Sequence, residues 1–345
     1  MRELYDAAVV GGGPAGAIVA LTLARLGRKV CLFEATHWDE ERYGETLPPE
    51  INPVLRELGV YDEFLALAPL ESPGIVSVWG GTAPGEQDFL RNPHGPGWHV
   101  DRNRFDRMLC MQAGAAGTEC FCSETPEVRR DAELWHAGDI DARFLVDASG
   151  RNGLRIDGDG GREIEDRLLA IVMRMEHPEE APSDLRTLIE SAPAGWWYSA
   201  RLPQGQTIAM FFTDCDIYAR EGIVLEEQLG DASVTRDRLR SGVLKGARIV
   251  HVTSSCRTEI AGESWLAAGD SASCYDPLSG RGIFKALRQG ANAGMAVDAY
   301  LRGDPQPLGE YATLVRKEFD SYVVQRHAYY AAERRWAGLE FWSRR

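Results

Sequence analysis

Three glycines carry the most specific chemistry in this chain. Gly11, Gly13 and Gly16, with Pro14 and Ala15 between the last two, spell G-x-G-x-x-G, and Glu34 follows 18 positions after Gly16. In such a pattern Gly11 permits a tight turn. Gly13 lets backbone approach a pyrophosphate without a Cβ in the way, and Gly16 lets a helix pack closely on a strand. Free N–H groups at the helix start, and the helix dipole, favour the anion. Glu34 would accept hydrogen bonds from ribose hydroxyls and disfavour a 2′-phosphate. The spacing alone is weak, so the flanking elements decide. Residues 6–10 are an apolar run of strand length, 18–26 are apolar at helical spacing and close on Gly27, and 30–33 form a second strand ending at Glu34. A strand, a crossover helix and a strand within about thirty residues predict a parallel pair.

A second segment lies far downstream. Leu266-Ala267-Ala268 reads as a strand, Gly269-Asp270-Ser271 as a turn, and Tyr275-Asp276-Pro277-Leu278-Ser279-Gly280-Arg281-Gly282-Ile283 opens a small-residue helix over 282–301. Arg102 leads an amphipathic helix over 102–113. Asp147-Ala148-Ser149-Gly150 closes a buried strand, and Gly44-Glu45-Thr46-Leu47-Pro48-Pro49 reads as an ordered loop. Arg42, eight residues after Glu34, either neutralises a phosphate or lies in solvent. Residues 225–239 read as one helix, 55–67 as another, and 248–254 as a strand.

Aromatic residues gather in the middle of the chain. Trp196, Trp197 and Tyr198 lie on a strand over 196–202, whose alternation sends Trp196 and Tyr198 to one face. Met210 and Phe212, on the strand 207–212, reach the same face. Two readings stand: a wall for an aryl substrate, or ordinary sheet core. His94 and His99 sit in a Gly/Pro-rich stretch, as a general base near neutral pH or as surface or structural histidines. Glu45 either acts near a cofactor or fixes its own loop.

Composition narrows the class. The 345 residues include 38 Lys+Arg against 52 Asp+Glu, a net charge of −14, which fits poorly with nucleic acid or an anionic membrane surface. No apolar run approaches the roughly 18 residues of a membrane span, and the start MRELYDAAVV lacks the features of a signal peptide. Seven scattered cysteines read as reduced thiols of a cytoplasmic protein. Cys120 and Cys122 have no second pair at zinc spacing, so no metal is expected.

The segment from Gly269 to Ile283, joined to the upstream fingerprint, resembles the second flavin motif of FAD-dependent monooxygenases and halogenases. The resemblance implies an FAD cofactor. Asp270 would hold the ribityl hydroxyls. The stretch through Pro277, Gly280, Gly282 and Ile283 would run beside the isoalloxazine, with the helix opening aimed at flavin N1/O2. Arg102 is similar to the arginine that lies along FAD, and Asp147 to the aspartate near the pyrophosphate. The latter departs from the adjacent Asp-Gly of aromatic hydroxylases, which leaves the electron donor open between NAD(P)H and a separate reductase. Gly44-Glu45-Thr46 resembles the start of the flavin strap in tryptophan-halogenase-like proteins. The tail Tyr330–Trp336 and Phe341–Arg345 is similar to the close of short members of that group.

The implied fold is α/β. A Rossmann-like, glutathione-reductase-like FAD domain (1–70, 100–160, 245–300) is interrupted by an antiparallel-sheet substrate domain (71–99, 161–244), with a helical segment over 301–345. Halogenases of the group need a lysine after the first flavin motif and a Trp-x-Trp-x-Ile-Pro signature. This chain has no lysine between Lys29 and Lys245, and its nearest stretch is Trp196-Trp197-Tyr198-Ser199-Ala200-Arg201-Leu202-Pro203. The resemblance is therefore to the short, non-halogenating members that modify tryptophan during tryptophylquinone enzyme maturation. It implies a monooxygenase hydroxylating an aromatic, tryptophan-like substrate through a flavin C4a-hydroperoxide. That substrate is an aromatic small molecule or a residue of a peptide or protein partner. A geranylgeranyl-reductase-like flavin reductase and a non-catalytic FAD-binding maturation partner are the alternatives.

Overall fold

The computed structural model describes residues 2–131, 133–156, 160–176 and 184–345. Its centre is a parallel sheet. Strand β1 (Glu3–Val10) lies between β2 (Val30–Glu34) and the strand Ile140–Asp147, parallel to both, and the latter pairs with Trp265–Ala267. Every residue of β2 is buried, as a strand covered on both faces must be. Helix α1 (Pro14–Arg25) joins β1 to β2, as the apolar spacing predicts. The helix Gly282–Leu301 packs on α1 through its small residues. A Cβ at Gly290 would lie 2.6 Å from the Ala15 carbonyl oxygen, and one at Gly294 2.7 Å from the Thr22 Cβ.

A second sheet holds seven strands, in the order Val243–His251, Leu168–Glu176, Thr207–Asp214, Gly195–Arg201, Thr187–Ala192, Gly74–Val78, Gly85–Asp88. All neighbours are antiparallel except Thr187–Ala192 with Gly74–Val78. Trp196 stands opposite Phe212 and Tyr198 opposite Met210, so the four share one face. That face is buried against Tyr330, Phe341 and Trp342. The opposite face buries Trp197 and Phe211.

Three expectations need adjusting. The helix expected over 225–239 is two, Leu225–Gly230 and Ser233–Leu239; Gly230 and Asp231 stand at the break, where a helix end is easier to form than to cross. The helix expected over 55–67 is also two, Ile51–Glu57 and Tyr61–Ala66, parted at Gly59 with φ +61°. The strand expected over 248–254 spans Val243–His251 and pairs along its length with Leu168–Glu176. The second sheet therefore continues past the expected boundary at 244.

From Gln306 to Ala332 runs one long helix, burying Tyr311, Val315 and Phe319 toward the parallel core and Tyr330 toward a face of the second sheet. Among the described residues no helix is long and apolar enough to cross a membrane.

Candidate active site

The first glycine turn is built as its spacing requires. Gly11 has φ +111°, and a Cβ there would lie 2.1 Å from the Ala148 carbonyl oxygen. A Cβ at Gly16 would lie 1.9 Å from the Gly11 oxygen. Gly13 differs: a Cβ on it meets nothing within 4 Å. The protein leaves open space there, in front of the uncapped start of α1. That cradle fits a pyrophosphate. Glu34 stands beside it, with Oε2 accepting from the Gly12 N–H at 3.0 Å. Its Oε1 is taken by the Thr36 hydroxyl and by Arg42 at 2.6 Å. Arg42 also donates to Asp106 at 3.0 Å. Its guanidinium therefore bridges two carboxylates, where the sequence suggested a phosphate or solvent.

The second motif meets the first at Gly269. This residue has φ +67°, and a Cβ on it would sit 2.6 Å from the Ala15 Cβ. The next residue, Asp270, receives the Lys285 Nζ at 3.1 Å and lies 3.5 Å from the Arg151 Nε. Burial pushes its carboxyl up, but Lys285 and Arg151 outweigh that and hold it down to about 2. It is a fixed anion able to accept from hydroxyls. Neither Lys285 nor Arg151 emerged from the sequence. Lys285 had one signal, a scarce lysine one turn into the helix after the motif.

Asp147 is fully engaged by its own chain. One oxygen accepts from the Ser149 N–H and hydroxyl, at 3.0 and 2.6 Å. The other accepts from the Leu154 N–H at 2.8 Å and Arg257 at 3.1 Å. It shapes the turn below the glycines.

The strap holds a buried carboxyl raised toward neutrality. Gly44, with φ +98°, lies under Arg102, which donates to the Tyr43 carbonyl and, at 3.1 Å, to Asp106. Glu45 is 2% exposed. Its Oε2 accepts from the Gly44 N–H at 2.9 Å, and its buried Oε1 has no hydrogen-bond partner. Burial raises this carboxyl to about 7, with Arg102 opposing. The neighbouring Thr46 hydroxyl touches Tyr198 Oη at 2.6 Å and His99 Nδ1 at 3.1 Å. The other ring nitrogen of His99 donates to the Leu185 carbonyl at 2.8 Å. That donation leaves Nδ1 as the acceptor, so the ring is neutral and both nitrogens are engaged. Burial lowers it to about 4. His99 therefore pins strap to sheet and offers no free nitrogen as a base. His94 is exposed on its loop.

The aromatic face is closed by the tail. Trp196 is 1% exposed and stacks on Phe212 with centroids 3.9 Å apart. Its indole N–H donates to Tyr330 Oη at 3.0 Å, and that hydroxyl donates to Asp276 at 2.8 Å. Asp276 begins the Pro277–Ile283 stretch, accepts from the Leu278 N–H at 2.8 Å, and is held by Arg326 at 3.2 Å. Leu278 packs against the same aromatic cluster. Sheet, tail and second motif are thus one hydrogen-bonded unit, and Trp196 is a packed member of it. Tyr198 reaches the strap, and Met210 lies beside it in the sheet.

Residues 82–345 match the family described as tryptophan halogenase, and residues 4–159 match the FAD binding domain. The chain is 27% identical, over 370 aligned positions, to a putative FAD-dependent oxidoreductase, LodB, of Marinomonas mediterranea, covering 99% of this chain and 97% of that one. Among solved structures, the myxobacterial chondrochloren halogenase CndH superposes with TM-score 0.89 at 23% identity, over 99% of this chain and 86% of that one. QhpG, a peptidyl tryptophan dihydroxylase essential for tryptophylquinone cofactor biogenesis, superposes with TM-score 0.76 at 24% identity, over 99% and 78%.

Proposed function

We propose, from the premise that this chain belongs to the tryptophan halogenase family of flavoproteins, that it is an FAD-dependent monooxygenase that hydroxylates an aromatic, tryptophan-like residue carried on a peptide or protein. Its membership makes it an FAD-dependent oxidoreductase of that family; the oxygen insertion and the substrate are the proposal. The observation that carries it is Glu45, a buried strap carboxyl near neutrality with one oxygen unpartnered.

Bound FAD, once reduced, supplies electrons and the activation of O₂. The residues of the chain do the rest. The Gly13 cradle and the start of α1 hold the pyrophosphate, Glu34 the ribose, and Asp270 the ribityl hydroxyls. Arg102 clamps the strap, and the helix opening at Gly280, Gly282 and Ile283 would line the site of the flavin ring. Glu45, raised toward neutrality by burial, holds or releases a proton at its unpartnered Oε1, matching a general acid–base role. Tyr198 ties the sheet to the strap through Thr46, with Met210 beside it.

Halogenation is disfavoured by the placement of the lysines. Lys29 pairs with Glu3, Lys245 with Glu176 and Lys285 with Asp270, and Lys317 lies on the outer helix Gln306–Ala332. The relation to QhpG, named for a peptidyl tryptophan substrate, supports a polypeptide-borne target.

The test is turnover of reduced holoprotein under ¹⁸O₂ with tryptophan-containing peptides and bromide, read by mass spectrometry. Labelled oxygen on the ring is expected. Enzyme-dependent bromination would replace the reading with a halogenase, and alkene saturation without O₂ uptake with a flavin reductase. A flavin that cannot cycle would leave a maturation partner without catalysis.

A further inference from the structure

Between the helices Gly282–Leu301 and Gln306–Ala332 lies a cleft of about 360 Å³, within the size range of small-molecule sites. It is separate from the glycine cradle, which lies on the α1 side of the Gly282–Leu301 helix. Its inner end is formed by Tyr275, Leu278 and Ser279, the back of the stretch that precedes the helix opening. Its walls carry Phe284, Tyr322 and Tyr329. Tyr322 stacks face to face on Tyr275 with centroids 4.1 Å apart, so the pair is a rigid aromatic block at the cleft's side.

The charge at this cleft runs against that of the molecule. Arg281 and Arg288 line it from one helix, at a spacing that brings them to one face, and Lys317 lines it from the other. In a chain with net charge −14, none of these three has a carboxylate oxygen within 4.0 Å among the described residues. By contrast Arg28, Arg42, Arg186 and Arg344 are each ion-paired. The cleft's two acids cancel the cations only in part, since Glu318 has a neutral partner and offsets one of the three. Asp276 is committed to Arg326 and Tyr330, and Glu318 accepts from Gln289 on the inner side. The stem of Lys285 adds to the wall while its head turns to Asp270. The result is an aromatic cleft bordered by three cations that have no carboxylate partner among the described residues.

We infer that this cleft binds a small molecule with a flat aromatic body and one anionic group, a carboxylate or a phosphate, held by Arg288, Lys317 and Arg281. The ring packs against the Tyr275–Tyr322 pair and Phe284, and the anion meets the three cations. The inference does not depend on oxygen insertion. Because Leu278 and Ser279 form the inner end, occupancy reaches the flavin-side stretch and perturbs the flavin spectrum.

The test titrates FAD-loaded protein with indole-3-propionate, phenyl phosphate and uncharged indole-3-propionamide, by calorimetry and by the flavin absorption band. An anion is expected to bind at least tenfold more tightly than the amide, and to weaken as salt is raised. Arg288→Gln combined with Lys317→Gln, both on exposed positions, is expected to weaken the anion tenfold or more and leave the amide unchanged. FAD content of the variant, read at the same time, reports that the fold is retained. A tenfold preference between the two anions identifies the source as a carboxylate or a phosphate ester, and either supports the inference. Equal binding of amide and anion, full affinity in the double variant, or no binding of any probe would overturn it. Failure of the ¹⁸O₂ experiment would leave this result standing.

Discussion

Gly13 and Glu45 are two residues at which fold and chemistry separate cleanly. A Cβ at Gly13 meets no protein atom within 4 Å, whereas one at Gly11 or Gly16 would overlap backbone. Gly13→Val should therefore leave the apoprotein's melting temperature unchanged while FAD affinity, measured by fluorescence titration, falls at least a hundredfold. Gly16→Val should fail to fold. Glu45 has a folded pKa raised from 4.5 to about 7. The native state thus binds more protons than the unfolded chain between those values, so stability declines as pH rises through that window. The ceiling on the loss is about 3 kcal/mol. Glu45→Gln should flatten this slope in denaturant titrations at pH 5 and 7.5, and should abolish any rate limb with an apparent pKa near 7. Both glycine roles were legible in the spacing, because local sterics dictate them. The state of Glu45 was not, since its cause is burial in the assembled fold, opposed by the distant Arg102. The same applies to His99: its Gly/Pro-rich surroundings suggest an open loop, but pairing of Thr46–Leu47 with Gly97–His99 encloses it.

At the scale of elements, the strands and helices that follow strict periodicity were readable, and their partners were not. Alternation places Trp196 and Tyr198 on one face, and the register opposite Phe212 and Met210 agrees. Nothing in the pattern tells that the tail covers this face. The cover is built from Tyr330, Phe341 and Trp342, with the Trp342 N–H donating to the Ala192 carbonyl at 2.9 Å. Truncation at Trp196 is therefore a core deletion. Trp196→Ala should cost about 3–5 kcal/mol, seen as a lower urea midpoint, and Trp196→Phe much less. Tyr330→Phe removes only a hydroxyl that bridges Trp196 and Asp276. Leaving those buried groups unpaired should cost about 1–3 kcal/mol. It should also loosen the Asp276–Ile283 stretch, read as faster amide exchange there with the strand Trp265–Ala267 unchanged.

Across the whole molecule, the two motifs are far apart in the chain and touch at Gly269 and Ala15. Cofactor binding should therefore stabilise both halves of the parallel core together. At FAD a hundredfold above its Kd, stability should rise by about 2.7 kcal/mol, with one thermal transition; two transitions, only one of them moved by FAD, would contradict this. The order of α/β elements was visible from the sequence. The reach of the second sheet to His251 was not, because that strand is exposed along nearly its whole length and lacks alternation. The glycine turn is built mostly from β1, α1 and β2, which are contiguous over residues 3–34, with Ala148 packed against Gly11. The stretch after Asp276 is held by Arg326 and Tyr330, across a loop of some fifty residues closed by the long helix. Contacts between near neighbours form before those that must close long loops. A refolding chain therefore acquires its nucleotide grip early and its ring-side grip last. ADP should protect a refolding intermediate that riboflavin does not recognise, so the cofactor enters tail first.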